Sequence, residues 1–135
     1  MSLLKWNQKY AVGVKALDNH RNTFIGILNE LHAAMMMGQA QSVAGPLLLK
    51  LKDHARDHHS TVERMLETAK YPGLAQQREQ HREFAGKIDE FASRHEQNDP
   101  TMYVQLLRFM RDWLHNHMLN EDQQYRPCLN ERGDC

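Results

Sequence analysis

Apolar residues recur every three or four positions along most of this chain, which is the spacing of one face of an α-helix. Four such stripes are separated by short breaks that contain Gly, Pro or Asp. The pattern predicts a first helix from near Asp18 to Gly38 and a second helix from within residues 42–46 to the Tyr71-Pro72-Gly73 break. A third helix follows that break. A fourth begins at Asp99-Pro100, where Asp is a good N-cap and Pro a good first residue.

Short connections between four helices of similar length are typical of antiparallel neighbours. The predicted fold class is therefore all-α, an up-down-up-down four-helix bundle, as one domain over residues 1–135 with an N-terminal arm of about residues 1–17. Asp18 is expected to cap the first helix. Pro46 is expected in the first turn of the second helix, because a proline further inside removes a backbone hydrogen bond.

Composition narrows the possible functions. The 135 residues are 41% hydrophobic and 25% charged, as in ordinary globular proteins, and 17 basic residues balance 17 acidic ones. This balance predicts no nucleic-acid or membrane partner, and the absence of a long apolar run or leader predicts a cytoplasmic protein. The sequence contains no phosphate-binding glycine loop and no nucleophile elbow, so the common nucleotide and hydrolase motifs are absent. No general base or substrate pocket can be named from the sequence, and we expect no enzymatic activity.

Histidine is unusually frequent, with nine residues. His58, His81 and His117 each lie on a predicted apolar stripe, near the middle of three different helices. A single histidine on such a stripe is most often a hydrogen-bonded core residue, and His54, one turn before His58, is expected to be one. Three histidines at a similar depth are typical of a metal site built from facing helices, and neutral imidazole suits iron, zinc or copper.

Several segments resemble the hemerythrin family, and the resemblance runs almost from end to end. The ending WLHNHMLNEDQQY at residues 113–125 is the most specific, because it reproduces the family's WLxxHxxxxDxxY arrangement. The shorter matches are Trp6, VGV at residues 12–14, Leu17-Asp18, LNELHAAM at residues 28–35 and YPGL at residues 71–74. The resemblance implies a four-helix bundle that holds non-haem iron. It implies dioxygen as a possible ligand and leaves any protein partner open.

The family pattern implies seven iron ligands: a histidine at the start of the first helix, HxxxE on the second, HxxxH on the third and HxxxxD on the fourth. Without gaps, the positions that match in this chain are His58, His81, His117 and Asp122. Asp122 is implied by the resemblance alone. Because an α-helix turns by about 100° per residue, periodicity would favour Glu121 over a residue five positions after His117.

Three ligand positions are substituted, since Arg21, Val62 and Gln77 replace histidine, glutamate and histidine. We therefore expect a hemerythrin-like metal-binding protein with an incomplete di-iron site. It would hold one non-haem iron ion rather than two, or none, and its oxygen handling would be altered or lost. Pairing of Arg21 with Asp122 would compensate for the missing metal, because an unpaired buried charge is costly.

Two alternatives stay open. In the first, an oxygen carrier or sensor uses ligands shifted to His20, His59 and Glu63. The helical phase argues against this shift, because Val62 continues the apolar stripe and places His59 with Glu63 on the outward face that Lys52 shares. In the second alternative, a metal-free bundle serves as a structural or interaction module.

Overall fold

The computed structural model describes residues 15–121 and residue 124 of the chain. Within these residues there is no strand, so the predicted all-α fold is confirmed. Most of the predicted arm lies outside the described residues, and so does Asp122. The helices, in chain order, are α1 (Lys15–Met36), α2 (Ala40–Thr68), α3 (Leu74–Glu96), α4 (Met102–Trp113) and a π-helix that directly continues α4 (Leu114–Glu121).

The helices pack in the order in which they follow one another. Each contacts the next along the chain, and contacts between α1 and α4 close the ring. Because turns of a few residues join them, neighbouring helices run antiparallel, which confirms the predicted up-down-up-down bundle. No helix in the described part of the chain is long and apolar enough to cross a membrane.

Each of the three turns contains one residue with a left-handed backbone: Gly38 (φ 68°), Lys70 (φ 56°) and Asn98 (φ 59°). In each turn, the residue after the left-handed one donates its backbone N–H to the carbonyl of the residue five positions before it. These bonds are Gln39 to Ala34 (2.7 Å), Tyr71 to Leu66 (3.0 Å) and Asp99 to Arg94 (3.1 Å). They satisfy carbonyls that a helix end leaves without a partner, and they turn the chain back along the bundle.

Three predicted helix starts differ from the structure, and the smallest difference is that α4 begins at Met102 rather than at Pro100. Because α1 begins at Lys15, Asp18 lies in its first turn and does not cap it, although a carboxylate there still favours the positive end of the helix dipole. Pro46 lies inside α2, which already begins at Ala40, so the predicted first-turn position is wrong. The backbone bond that Pro46 removes is offset by apolar burial around it, at Ala44, Leu47 and Leu48.

Buried apolar residues form two clusters with a polar layer between them. The larger cluster fills the bundle around Phe24, Leu51, Phe84 and Leu106. The smaller one contains Leu17, Val62 and Leu66. Going from Phe24 on α1, Ala55 on α2 and Phe84 on α3 towards the smaller cluster, the next buried residues are polar. They are Arg21, His58, His59, Gln77 and His81. The bundle therefore places several polar side chains at one level of its interior.

Candidate metal centre

Six polar side chains in this layer are 0–7% exposed: Arg21, His58, His59, Gln77, His81 and His117. Among them are the three histidines that the sequence predicts as metal ligands. The fourth predicted ligand, Asp122, lies outside the described residues. A buried polar group without a partner is costly, so each of these side chains requires a hydrogen bond, a charge partner or a bound ligand.

α3 and the π-helix bring His81 and His117 together, with ring centroids 5.2 Å apart and planes at 66°. Trp113 stacks on His117 at 4.0 Å and covers its ring. The segment Leu114–Glu121 is a π-helix, in which hydrogen bonds join residues five apart. The α-helical periodicity that favoured Glu121 therefore does not apply to this segment.

In both histidines the ring nitrogen Nδ1 meets an acceptor. His81 Nδ1 donates to Glu63 Oε2 at 2.8 Å, and His117 Nδ1 donates to Gln80 Oε1 at 2.6 Å. A carboxylate and an amide oxygen only accept, so Nδ1 carries a proton in both rings, and in the neutral imidazole the lone pair is then on Nε2. Histidines that bind a metal through Nε2 are typically held in this way.

His59 is buried, at 7% exposure, and its ring stacks on His81 with centroids 3.9 Å apart and planes at 5°. The prediction that His59 and Glu63 face outward is therefore wrong. The interface between α2 and α3 is wide enough to include positions about 100° from the main stripe of α2. Glu63 lies at the edge of this interface, with its side chain 26% exposed, and also pairs with Arg78 at 3.3 Å.

A second group of histidines comes from α1 and α2. His20 Nδ1 lies 2.9 Å from His58 Nδ1. The ring of His54 lies 5.7 Å from that of His20 and 5.9 Å from that of His58, measured between centroids. His54 Nε2 is buried and has no hydrogen-bond partner among the described residues. Since the ring of His58 is 5.8 Å from that of His59, His58 belongs to this second group and reaches His81 through His59.

Burial keeps these histidines neutral. Loss of water, aided by nearby imidazoles, lowers the pKa of His59 to about 2 and the pKa of His54 to about 4. Burial also holds the pKa of His58 well below its usual value, and the neighbours His59, His20, His54 and Arg21 add to this effect. At pH 7 each of these rings therefore has a lone pair, which is the form of imidazole that binds metals.

Arg21 is fully buried, at 0% exposure, as its position on the apolar stripe predicts. Its positive charge is one of the causes that lower the pKa of His58, so the guanidinium is part of the group formed by α1 and α2. The predicted pairing of Arg21 with Asp122 stays a prediction, because Asp122 is not described.

The described residues near α3 supply two imidazole donors, His81 and His117. In the part of the chain that the structure describes, no group of three or more His, Cys, Asp or Glu side chains is placed to hold a metal ion. Two donors, His81 and His117, nevertheless have the right tautomer. A cavity of about 500 Å³ between α2 and α3 reaches His59, Glu63 and His81, so small molecules have access to this side of the layer.

Known proteins share both the sequence pattern and the fold. A family model described as the Hemerythrin HHE cation binding domain matches residues 12–129. The chain belongs to the hemerythrin family. A bacteriohemerythrin of Stenotrophomonas maltophilia is 28% identical over 93% of this chain and 80% of its own length, and one of Methylococcus capsulatus is 25% identical over 96% and 98%. Crystal structures of the L114A and L114Y mutants of a hemerythrin each superpose with a TM-score of 0.86, at 25% identity, covering 96% of this chain and 98% of theirs.

Hemerythrins hold non-haem iron and bind dioxygen, and this chain is a protein of that general type. The family and the fold that the sequence motifs predicted are confirmed. One interior residue, His59, was misplaced by the periodicity of its helix. A signal for it existed in the sequence, because His59 and Glu63 repeat the family's HxxxE spacing one residue late.

Proposed function

We propose that this hemerythrin-family chain binds one non-haem iron ion, with His81, His117 and Asp122 as ligands. Two histidines and a carboxylate are the ligand set of mononuclear non-haem iron sites with open positions. The observation that carries the proposal is the pair of hydrogen bonds from Nδ1 of His81 and His117, which leave the lone pair of each ring on Nε2. His58, also predicted as a ligand, lies one ring further away, beyond His59.

The residues Arg21 and Val62 support the binding of one iron ion rather than two. In the family pattern a second iron would use a histidine at position 21 and a glutamate at position 62. Here a fully buried guanidinium and a buried apolar side chain occupy these positions. Arginine keeps its charge inside proteins, so Arg21 repels a divalent cation close to His58.

An iron ion bound at this site would supply open coordination positions for a small ligand such as dioxygen. The chain's own residues orient and shield the site. Glu63 and Gln80 fix the rotation of the two imidazoles through their hydrogen bonds to Nδ1. Trp113 covers His117, and Phe84 packs against Trp113 with centroids 4.6 Å apart. The proposed role is ligand binding and not catalytic turnover.

Iron analysis of protein purified with Fe²⁺ present tests this proposal. We expect one iron per chain and an absorption spectrum without the charge-transfer bands of a bridged iron pair. Substitution of His81 or His117 by Leu should abolish the iron. Two irons per chain with the bridged-pair bands would overturn the proposal in favour of a di-iron protein, and protein without iron would overturn it in favour of a metal-free bundle.

A second candidate function, an oxygen carrier or sensor with a shifted di-iron ligand set, is favoured by two contacts. The Nδ1 atoms of His20 and His58 are 2.9 Å apart. Two nitrogens that each lie about 2.1 Å from one metal ion are separated by about 3 Å. Glu63 and His59 both contact His81. If this candidate is right, His20→Gln and His59→Gln should each lower the iron content from two per chain, whereas the first proposal expects it to stay at one.

A further inference from the structure

The cavity between α2 and α3 opens at the surface of the bundle and has a volume of about 500 Å³. Sites that bind small organic molecules have volumes of about 300–1,000 Å³, so this cavity is large enough for such a ligand. Along α2 its lining extends from Lys52 to Glu63. At a rise of about 1.5 Å per residue these positions are about 16 Å apart, so the cavity is an elongated groove.

The floor of the groove is apolar. Ala55 of α2 and Phe84 and Ile88 of α3 line it and are 1–7% exposed. All three belong to the larger apolar cluster, so the groove ends on the core of the bundle. Ala85, an exposed residue of α3, also lines the groove, and its small side chain leaves space beside Phe84. A ligand with an apolar body removes its own surface from water when it lies on this floor, which favours binding.

Basic side chains surround the groove. Lys52 and Arg56 of α2 and Arg78 and Arg82 of α3 line it, whereas Glu63 supplies the single carboxylate among the described residues of the lining. The whole chain has 17 basic and 17 acidic residues, so this excess of positive charge is local. A cleft lined by charges of one sign attracts ligands of the opposite sign. The groove therefore favours an anion.

The arginines of α3 have ion-pair partners that a ligand can replace. Arg82 contacts Glu79 at 2.6 Å, and Arg78 is shared between Glu63 at 3.3 Å and Glu67 at 3.1 Å. The side chains in these pairs are 26–72% exposed. Ion pairs between exposed side chains are weak, so a carboxylate that enters the groove competes with them. Guanidinium groups suit this exchange, because they can donate two parallel hydrogen bonds to one carboxylate.

We propose that the groove binds a small organic acid with an apolar tail, a medium-chain alkyl carboxylate taken from solution. The carboxylate contacts Arg78 and Arg82, and the alkyl chain lies over Phe84 towards Ile88. The elongated shape of the groove and its apolar floor fit a linear chain better than a compact ring. This inference goes beyond the proposed function and does not depend on bound iron.

Titration calorimetry of the full chain with octanoate tests the inference. We expect acetate, which lacks the tail, and 1-octanol, which lacks the charge, each to bind at least about 10-fold more weakly than octanoate. Octanoate binding should also weaken as salt is added, because exposed charges are screened. A parent protein that does not bind octanoate, or that binds 1-octanol equally well, would overturn the inference.

Two substitutions with effects of opposite sign locate the carboxylate. Arg82→Gln should lower the octanoate affinity by about 10-fold, because a charge-assisted hydrogen bond is lost. Arg111→Gln, at an exposed position of α4, is the matched control. Glu63→Gln should raise the affinity, because it removes the carboxylate of the lining and a partner of Arg78. A general disturbance of the fold would lower the affinity in both variants, and equal affinities of the Arg82→Gln and Arg111→Gln proteins would contradict the proposal.

A third substitution obstructs the groove. Ala85→Glu places a larger, negatively charged side chain in the lining and should abolish octanoate binding. Ala75→Glu, at an exposed position of α3 outside the groove, should bind octanoate like the parent. Circular dichroism checks the helix content, and Ser60→Glu obstructs the groove from α2 if the Ala85→Glu protein does not fold. Parental affinity in the obstructed variant would overturn the inference and leave the proposed iron binding intact, because iron analysis tests that separately.

Discussion

The polar layer has two parts with different electrostatic surroundings. In the part near α3, His81 and His117 donate from Nδ1 to oxygen acceptors, Glu63 and Gln80. In the part formed by α1 and α2, His58 lies among His20, His54 and Arg21. The groups beside Nδ1 in the first part are hydrogen-bond acceptors. The second part contains a buried cation, the Arg21 guanidinium.

This difference shows that the number of buried histidines does not by itself define a metal site. The groups that contact Nδ1 decide whether Nε2 carries the lone pair, and nearby charges decide whether a cation is attracted. His58 and His81 are equally typical ligand candidates in sequence, yet their surroundings differ in both respects. Substitutions in either part test this contrast.

Removing a histidine from the part near α3 should have the largest effect. His117→Ala should lower the Fe²⁺ affinity by more than about 100-fold, because loss of a ligand exceeds the loss of its supporting groups. His54→Ala, from the other part, should bind Fe²⁺ like the parent. Chelator competition measures both. Equal losses in the two variants would show that the two parts act as one site.

Removing the guanidinium and restoring the family ligands should convert the second part into a metal site. In the triple variant Arg21→His, Val62→Glu, Gln77→His, all seven ligand positions match the family pattern. We expect the iron content to rise toward two per chain, measured by metal analysis together with the absorption spectrum. Val62→Glu alone serves as the control and should not raise the iron content, because Arg21 is still present.

Arg21→Ala should destabilise the apoprotein by about 3 kcal/mol, the order expected when one partner of a buried ion pair is removed. Chemical denaturation of apoprotein gives this free energy of unfolding. Arg64→Ala, on the exposed side of α2, should change it little. An Arg21→Ala protein as stable as the parent would contradict both the burial cost and the pairing with Asp122.

Glu63→Leu should lower the Fe²⁺ affinity by about 10- to 100-fold, because His81 loses the acceptor that fixes its tautomer. Glu63→Gln keeps an acceptor and should retain most of the affinity. Glu67→Leu is the matched control, since Glu67 also pairs with Arg78, at 3.1 Å, and is exposed. Nitrogen NMR of the apoprotein should show the His81 proton on Nδ1 in the parent, and a proton on Nε2 would disprove the assigned tautomer.

His54→Phe should have the smallest effect. His54 Nε2 is buried without a partner, so an apolar ring of similar shape removes an unsatisfied atom. We expect the free energy of unfolding of the apoprotein to stay within about 1 kcal/mol of the parent value or to rise. A loss of several kcal/mol would indicate that His54 holds the α1 and α2 part together.

Much of this molecule follows from the sequence. The stripes of apolar residues predicted four helices and the bundle, because each helix buries one face and the apolar residues of that face recur about every 3.6 positions. They also placed Arg21, His58, His81 and His117 in the interior, where the structure has them. Family membership followed from the motif at residues 113–125 together with shorter matches.

The tertiary structure alone decided which polar side chains meet. The spacing of apolar residues along α2 identifies one buried face. How far the buried surface extends around α2 depends on how closely α3 packs, so His59 was wrongly predicted to face outward. The π-helix changes the periodicity around His117, and the repeat of the preceding α4 gave no sign of it. The acceptors Glu63 and Gln80 come from helices other than those of the histidines they hold. The spacing of apolar residues along one helix does not determine the distances between helices, and the proposed iron site depends on those distances.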